Sequence, residues 1–413
     1  MRKGRSLPPV WLMGLSNSTL GFVTGIVTFV LPQLLAVQNV PEAKIAAMTA
    51  LGMSPNFWAV IVSPMLDVRF SRRWYATVLA ALAGLTTMVE FVSLHHLVVL
   101  QVAMVVSMAA AALSGAALGG WLANVADEKD KNTLSKWMNI ALVSGSGVVA
   151  AGGELYRHLS GPLAAVLLGA IVFLPASIFL RIPAPGPDGR LAGESFAQFN
   201  REVLALLRRR EVVVVLLLFL APCSTFVLPN LLGALGNDFH ATAQEVSLAG
   251  GFGAFIPGIL GCMVFPMIAR RMPLRLFYLA NGVVGSLFTL SLLMVPRDPG
   301  AYATAIFGAF LFQAVAFALQ IGIVFEAIGP NNPLAATTFA FLSSATNVPV
   351  MYVMAADGHA YAAAGLAGLL GVDASIGIGT CLLAGVLLAK FGALPRVAGQ
   401  LVEALPDAMQ EEN

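Results

Sequence analysis

The sequence predicts an all-α integral membrane protein of twelve transmembrane helices, arranged as two pseudo-symmetric six-helix halves. Three observations carry that expectation. Hydrophobic residues make up 58% of the chain and charged residues 11%, with a mean hydropathy of +0.84. A soluble domain carries roughly 25% charge, so most of this exterior must face lipid. The chain also repeats itself: Thr28-Phe-Val-Leu-Pro-Gln-Leu-Leu35 returns as Thr225-Phe-Val-Leu-Pro-Asn-Leu-Leu232, and Val62-Ser-Pro-Met-Leu66 is echoed by Val264-Phe-Pro-Met-Ile268 at nearly the same offset. Matching offsets mark one half as a copy of the other, the arrangement on which alternating access is built. Finally, the basic residues fall on one side of an even number of spans.

The spans follow in order as apolar runs of at least 17 residues, long enough to cross a bilayer. They lie near 9–37, 42–66, 74–94, 96–124, 133–159 and 161–181, then 212–236, 242–270, 273–295, 299–328, 332–356 and 361–391. Met1-Arg-Lys-Gly-Arg5 looks like the basic region of a signal peptide. The run from Pro9 to Val37 is too long for one and ends without a cleavage site, so it reads as a retained first helix. With the N-terminus inside, twenty Lys and Arg residues fall on the cytoplasmic side, against Lys44, Arg157 and Arg297 outside. Both termini are therefore expected in the cytoplasm, and the protein in a cell inner membrane.

Residues 1–181 form the expected N-terminal half and 212–391 the C-terminal half, with a tail at 392–413. Between the halves, 182–211 opens with Pro183-Ala-Pro-Gly-Pro187, which ends a helix. It continues with Phe196, Phe199, Val203, Leu206 and Leu207 at helical spacing among arginines, a basic amphipathic helix lying on the inner leaflet between the halves, either as a passive tether or as a partner-binding element. Cys223, Cys262 and Cys381 are widely separated inside spans, which argues against a disulfide framework or a metal site. No Walker-type loop or paired-histidine motif occurs, and the five histidines map to outer loops. No enzyme activity, cofactor, metal or nucleic-acid partner is expected. The expected partners are the lipid bilayer, a small-molecule substrate and protons, with the chain acting as a monomer.

The turn after the second span, Ser63-Pro-Met-Leu-Asp67-Val-Arg69-Phe-Ser-Arg72-Arg73, resembles the signature of the major facilitator superfamily, with serine in place of its glycine and one extra residue before the arginine pair. Its Ser-Pro-Met-Leu-Asp form is similar to the subgroup of muropeptide permeases (AmpG type), acetyl-CoA transporters and siderophore permeases. The glycine-rich Ser144–Gly153 stretch, and Glu326-Ala-Ile-Gly329 followed by Ser343-Ser-Ala-Thr-Asn347-Val-Pro349, resemble the same subgroup. The fourth span lacks the arginine common in sugar and drug transporters, and the fifth lacks an intramembrane Gly-Pro. The resemblance implies proton-coupled uptake of a peptidoglycan fragment, siderophore or similar amphiphile, with proton-driven efflux of hydrophobic compounds as the alternative.

It also implies roles for particular residues. Asp67 with Arg69, Arg72 and Arg73 would form a cytoplasmic latch, the carboxylate pairing with arginine and with the positive end of a facing helix; alternatively, the arginines only obey the positive-inside rule. The first, fourth, seventh and tenth helices would line a cavity. Their polar residues are Asn17, Thr24 and Thr28; Ser107, Ser114 and Trp121; Ser224, Thr225 and Asn230; and Gln313 and Gln320. These either hold a polar ligand or bond helix to helix.

Four acids at membrane depth are candidates for proton coupling. Glu90 lies near the outer end of its span, within reach of headgroup water, and Glu154 has Arg157 as an ion-pair partner. Glu326 faces the cavity, clasps the neighbouring helix or caps one starting near Pro333. Asp373 is central if the last span is continuous, or an N-cap if Gly371 breaks it. Pro32 and Gln33 with Pro229 and Asn230 mark a candidate periplasmic gate, since the two prolines weaken their helices at one depth. Gly14, Gly21 and Gly25 in the first span, and the glycines of the fifth, suit close packing or sliding.

Overall fold

The computed structural model describes residues 7–152, 159–183, 204–206, 208–223, 232–242, 245–246, 252–329 and 332–393. The chain is an all-α membrane protein of the expected architecture. In the N-terminal half, α1 spans Val10–Val37, α2 Lys44–Asp67, α3 Arg72–Val92, α4 Leu97–Val125, α5 Lys131–Ala151 and α6 Gly161–Leu180. The seventh span, α7, is described in two pieces, Arg210–Phe219 and Leu232–Asp238. Then come α8 at Phe252–Ala269, α9 at Leu274–Met294 and α10 at Pro299–Ile328. The chain continues with α11, Ala335–Ala345 and on to residue 363, and α12 over 366–390.

Large apolar side chains such as Leu85, Val98, Leu174, Met267 and Leu383 are exposed on the outside of the bundle. There the hydrocarbon of a bilayer replaces water as their solvent. The turns α2–α3, α4–α5 and α8–α9 lie at one end, with Arg69, Arg72, Arg73, Lys129, Arg270 and Arg271. This is the basic end.

Within the N-terminal half α1 packs on α5 through small residues. A Cβ at Gly14, Gly21 or Gly25 would come within 2.4 Å of Trp137, Leu142 or Val149. Ahead of Pro32, α1 widens to a π-helical turn over Ile26–Val30. Proline offers no N–H and its ring crowds the preceding turn, so the ladder shifts register there.

The last two spans correct one expectation. Gly371 does not break α12: the helices part at Ala364 and Gly365, where Gly365 adopts φ 60°, ψ −151°. Asp373 is therefore not an N-cap. It lies inside a continuous α12, 4% exposed. A side chain at Gly365 would meet no neighbour, but its backbone conformation is one that only glycine adopts readily. Gly365→Ala is expected to cost about 1–3 kcal/mol, read as a lowered midpoint of thermal unfolding; an unchanged midpoint would mean that the turn relaxes freely.

The three cysteines are free and buried, and two of them meet. Although 158 residues apart, Cys223 of α7 and Cys381 of α12 bring their sulfurs to 3.4 Å, both buried. Gly282 on α9 makes the room, since a Cβ there would lie 2.6 and 2.8 Å from the two sulfurs. A disulfide would need the sulfurs to close from this contact distance to about 2.05 Å. Diamide, which accepts the two hydrogens, should link Cys223 to Cys381. Peptide mapping would show the bond, and Cys381→Ser should abolish it.

Of the linker, the amphipathic-helix expectation falls mostly on 184–203, outside the described residues; Leu206 is buried against the core. The expected tail also lies almost wholly outside them, at 394–413.

Candidate central cavity

A cavity of about 490 Å³ occupies the middle of the bundle. Both halves build its wall: α1, α2, α4 and α5 from one, α8, α10 and α11 from the other. Among the sequence candidates, Asn17, Thr24, Gln313 and Gln320 line it. Four others do not.

The Thr28 hydroxyl turns back to donate to Thr24 O (2.6 Å). Ser114 donates to Ala76 O of α3 (2.8 Å). Trp121 donates from Nε1 to Pro183 O (3.0 Å) and packs edge-on against Phe179. Ser107 donates to the Glu90 carboxylate. The reason is shared: a seven-residue stripe on α4 is wider than its cavity face, and buried hydroxyls satisfy themselves on the nearest helix. Ser224, Thr225, Pro229 and Asn230 lie outside the described residues.

Sequence reasoning missed α2, α5, α8 and α11. Asn56, Asn139, Ser146, Ser343, Ser344 and Asn347 are all on the wall. Asn139 and Ser146 stand seven apart in the fifth span, a signal passed over because only four helices were expected to line the cavity.

At the basic end the halves are joined. Ser63–Asp67 forms a short 3₁₀ turn with Pro64 near its start, and Ser71 caps α3 by accepting from Trp74 N. This places Asp67 and Arg72 face to face, with Arg72 Nε 2.6 Å from Asp67 Oδ1. Asp67 reaches across to α11: Oδ2 accepts from Thr337 N and Thr337 Oγ1, both at 2.7 Å, and Oδ1 from Ala336 N at 3.3 Å.

Arg72 Nη2 donates to Pro333 O (2.6 Å) and Asn332 O (3.2 Å). Asn124 exchanges two bonds with Asn332. One carboxylate thus satisfies the first amides of a helix that would otherwise be orphans, with the helix dipole in its favour. Arg69 is exposed and Arg73 half-buried; the ion pair uses Arg72. Just inside, α4 and α11 meet at glycines: a Cβ at Gly120 would fall 2.4 Å from Ala336 N, and one at Gly119 2.5 Å from the Phe339 ring. Asn139 donates to Ala314 O (3.0 Å) and Ser135 to Ala318 O, binding α5 to α10 on successive turns.

The acids are scattered. Glu90 does not reach headgroup water: it is fully buried between α3 and α4, one oxygen on Ser107 and the other, Oε2, without a partner. Glu326 neither lines the cavity nor caps α11, whose first amides belong to Asp67; it is exposed near the basic end. Glu154 and Arg157 lie outside the described residues. Sequence reasoning missed Asp357 of α11, fully buried with neither oxygen partnered. Its alanine-rich surroundings, Ala355-Ala356-Asp357-Gly358, read as a loop. Of the gate residues, Gln33 is exposed and Pro32 half-buried beyond the π turn. Among the described residues no three His, Cys, Asp or Glu side chains group as a metal site.

A family model described as the Major Facilitator Superfamily matches residues 13–343. No curated protein sequence matches the chain. Among solved structures, FucP in its outward conformation aligns with a TM-score of 0.72 at 12% identity, covering 92% of this chain and 98% of that one. The proton:xylose symporter XylE, bound to 6-bromo-6-deoxy-D-glucose, gives 0.64 at 15% identity, covering 94% and 96%. A bacterial homologue of the iron transporter ferroportin, outward-facing, gives 0.63 at 15%, covering 93% and 98%.

Proposed function

The chain belongs to the major facilitator superfamily, and from that premise we propose a proton-coupled transporter that takes up a small organic solute by alternating access. The carrying observation is a central cavity walled by both halves and sealed at the basic end through Asp67 and Arg72. On the positive-inside rule the basic end is cytoplasmic. Both termini then lie in the cytoplasm of a cell bounded by an inner membrane, and the closed end makes this the outward-facing state. Two of the structural neighbours are outward-facing by their descriptions, which supports the same reading.

In it, Asp67 and Arg72 latch the cytoplasmic end. The π turn before Pro32, with the equivalent Pro229 and Asn230, forms the periplasmic gate. The subgroup resemblance favours a peptidoglycan fragment, siderophore or similar amphiphile as cargo, and the protein works as a monomer.

Proton coupling needs a carboxyl that water can reach in one state and not in the other. Glu90 and Asp357 have buried oxygens without partners, which suits them better than the exposed Glu326. The test uses purified protein in proteoliposomes, with a solute gradient imposed and the internal pH followed. Protons moving with the solute support uptake, protons moving against it support the efflux reading, and no proton movement refutes coupling. Asp357→Asn or Glu90→Gln at the coupling site should abolish accumulation driven by a pH gradient while leaving solute exchange intact.

A further inference from the structure

Three asparagines on the cavity wall share an orientation. Asn17 Nδ2 donates to Met138 O (3.3 Å), Asn139 Nδ2 to Ala314 O (3.0 Å) and Asn347 Nδ2 to Asn56 O (3.1 Å). A backbone carbonyl can only accept, so in each case the NH₂ group is the one turned into the protein. The Asn139 amide also donates to Cys262 Sγ (3.0 Å), while its own Oδ1 is buried without a partner. Asn17 and Asn347 have thus each committed an N–H to the fold and keep their acceptor oxygens, whereas the Asn139 oxygen is buried away from the cavity.

The charge census points the same way. Among the described residues on the wall there is no Asp, Glu, Lys, Arg or His. Phe29, Phe255, Phe310, Phe317 and Phe339 give the wall extended apolar faces.

We infer that the transported solute is an uncharged amphiphile that donates hydrogen bonds, through hydroxyl or N–H groups, to these amide oxygens and lays an apolar face on the phenylalanines. The inference rests on the transport reading above and narrows its cargo. An anion would bring acceptors to acceptors and find no cation among the described residues of the wall. An ammonium group could donate, but its net charge would be uncompensated in a chamber of low dielectric. Hydroxyls satisfy the acceptors at no such cost. A peptidoglycan fragment with free carboxylates therefore fits this wall less well than a neutral one.

Four probes on one scaffold test each clause. Phenyl β-D-glucoside is neutral and rich in donors. Phenyl β-D-glucuronide replaces its C6 alcohol with a carboxylate, and phenyl 6-amino-6-deoxy-β-D-glucoside replaces it with an ammonium. Phenyl tetra-O-methyl-β-D-glucoside is neutral with no donors. Binding to the reconstituted protein, read by calorimetry, should rank the first above each of the others by at least about tenfold, the loss expected for one good hydrogen bond or more. Ser344→Lys, which places a cation on the wall, should raise the affinity for the glucuronide.

Equal or tighter binding of the glucuronide or the amine by the unmodified protein would overturn the neutrality clause. Equal binding of the methylated glycoside would overturn the donor clause, and binding of none of the four would overturn both. None of these results touches the transport reading, which the proton-flux assay decides separately.

Discussion

Replacing Asp67 with alanine should open the basic end of the bundle. The Asp67 carboxylate is 4% exposed and Arg72 is 2% exposed. Without it, the guanidinium keeps only Asn332 O and Pro333 O, and the first amides of α11 lose their acceptor. Breaking a buried pair by removing one partner costs about 3–5 kcal/mol, because the remaining charge is uncompensated. That penalty belongs to the closed arrangement alone, since Arg72 meets water once the end opens. The equilibrium between the two arrangements should therefore move by roughly two to four orders of magnitude. A cysteine placed at Phe339, in the cavity floor, should become reactive to a polar maleimide from the basic side in Asp67→Ala and remain protected in the parent. Asp67→Asn, which keeps one acceptor, should fall between them. Protection that survives Asp67→Ala would refute the latch.

Much of the fold was legible in the chain because lipid imposes few solutions. Long apolar runs must be helices, and the echo of Thr28–Leu35 at Thr225–Leu232 forces a second half like the first. The Asp67–Arg72 pair was legible as well, because a carboxylate among arginines in a short turn has few other uses. The cavity wall was less so. Period alone put Ser107, Ser114 and Trp121 on one stripe of α4, but a helix buried on all sides has no single face, and each of these groups found a partner elsewhere. Asn139 and Asn347 escaped notice because their importance is tertiary: they bond carbonyls of helices distant in sequence. The Cys223–Cys381 contact was invisible for the same reason. Asp373 was ambiguous because glycines at 365, 368 and 371 each offer a break, and only packing chose the first.

A large steric effect on closure of the basic end should come from Gly120→Val. A Cβ at Gly120 would lie 2.4 Å from Ala336 N and 2.5 Å from Ala336 Cα. Both are backbone atoms of α11, so no rotamer change relieves the clash and the helices must separate. At Gly119 the obstacle is the Phe339 ring, which can turn aside. Overpacking that neighbouring side chains can relieve costs about 1–3 kcal/mol; here the obstacle is backbone, so the cost exceeds that range, again only when α4 and α11 are in contact. Gly120→Val therefore differs in kind from Asp67→Ala. The latch variant opens easily and can still close, so it should keep part of its transport. The glycine variant cannot close at all, and an alternating-access cycle that never closes one end should lose transport by more than about tenfold. Its folding should be spared, because in the open arrangement the added side chain faces water in the cavity mouth. Gly119→Ala should be mild in both respects. If Gly120→Val transported at the parental rate with the floor cysteine protected, the α4–α11 contact would be no part of the cycle.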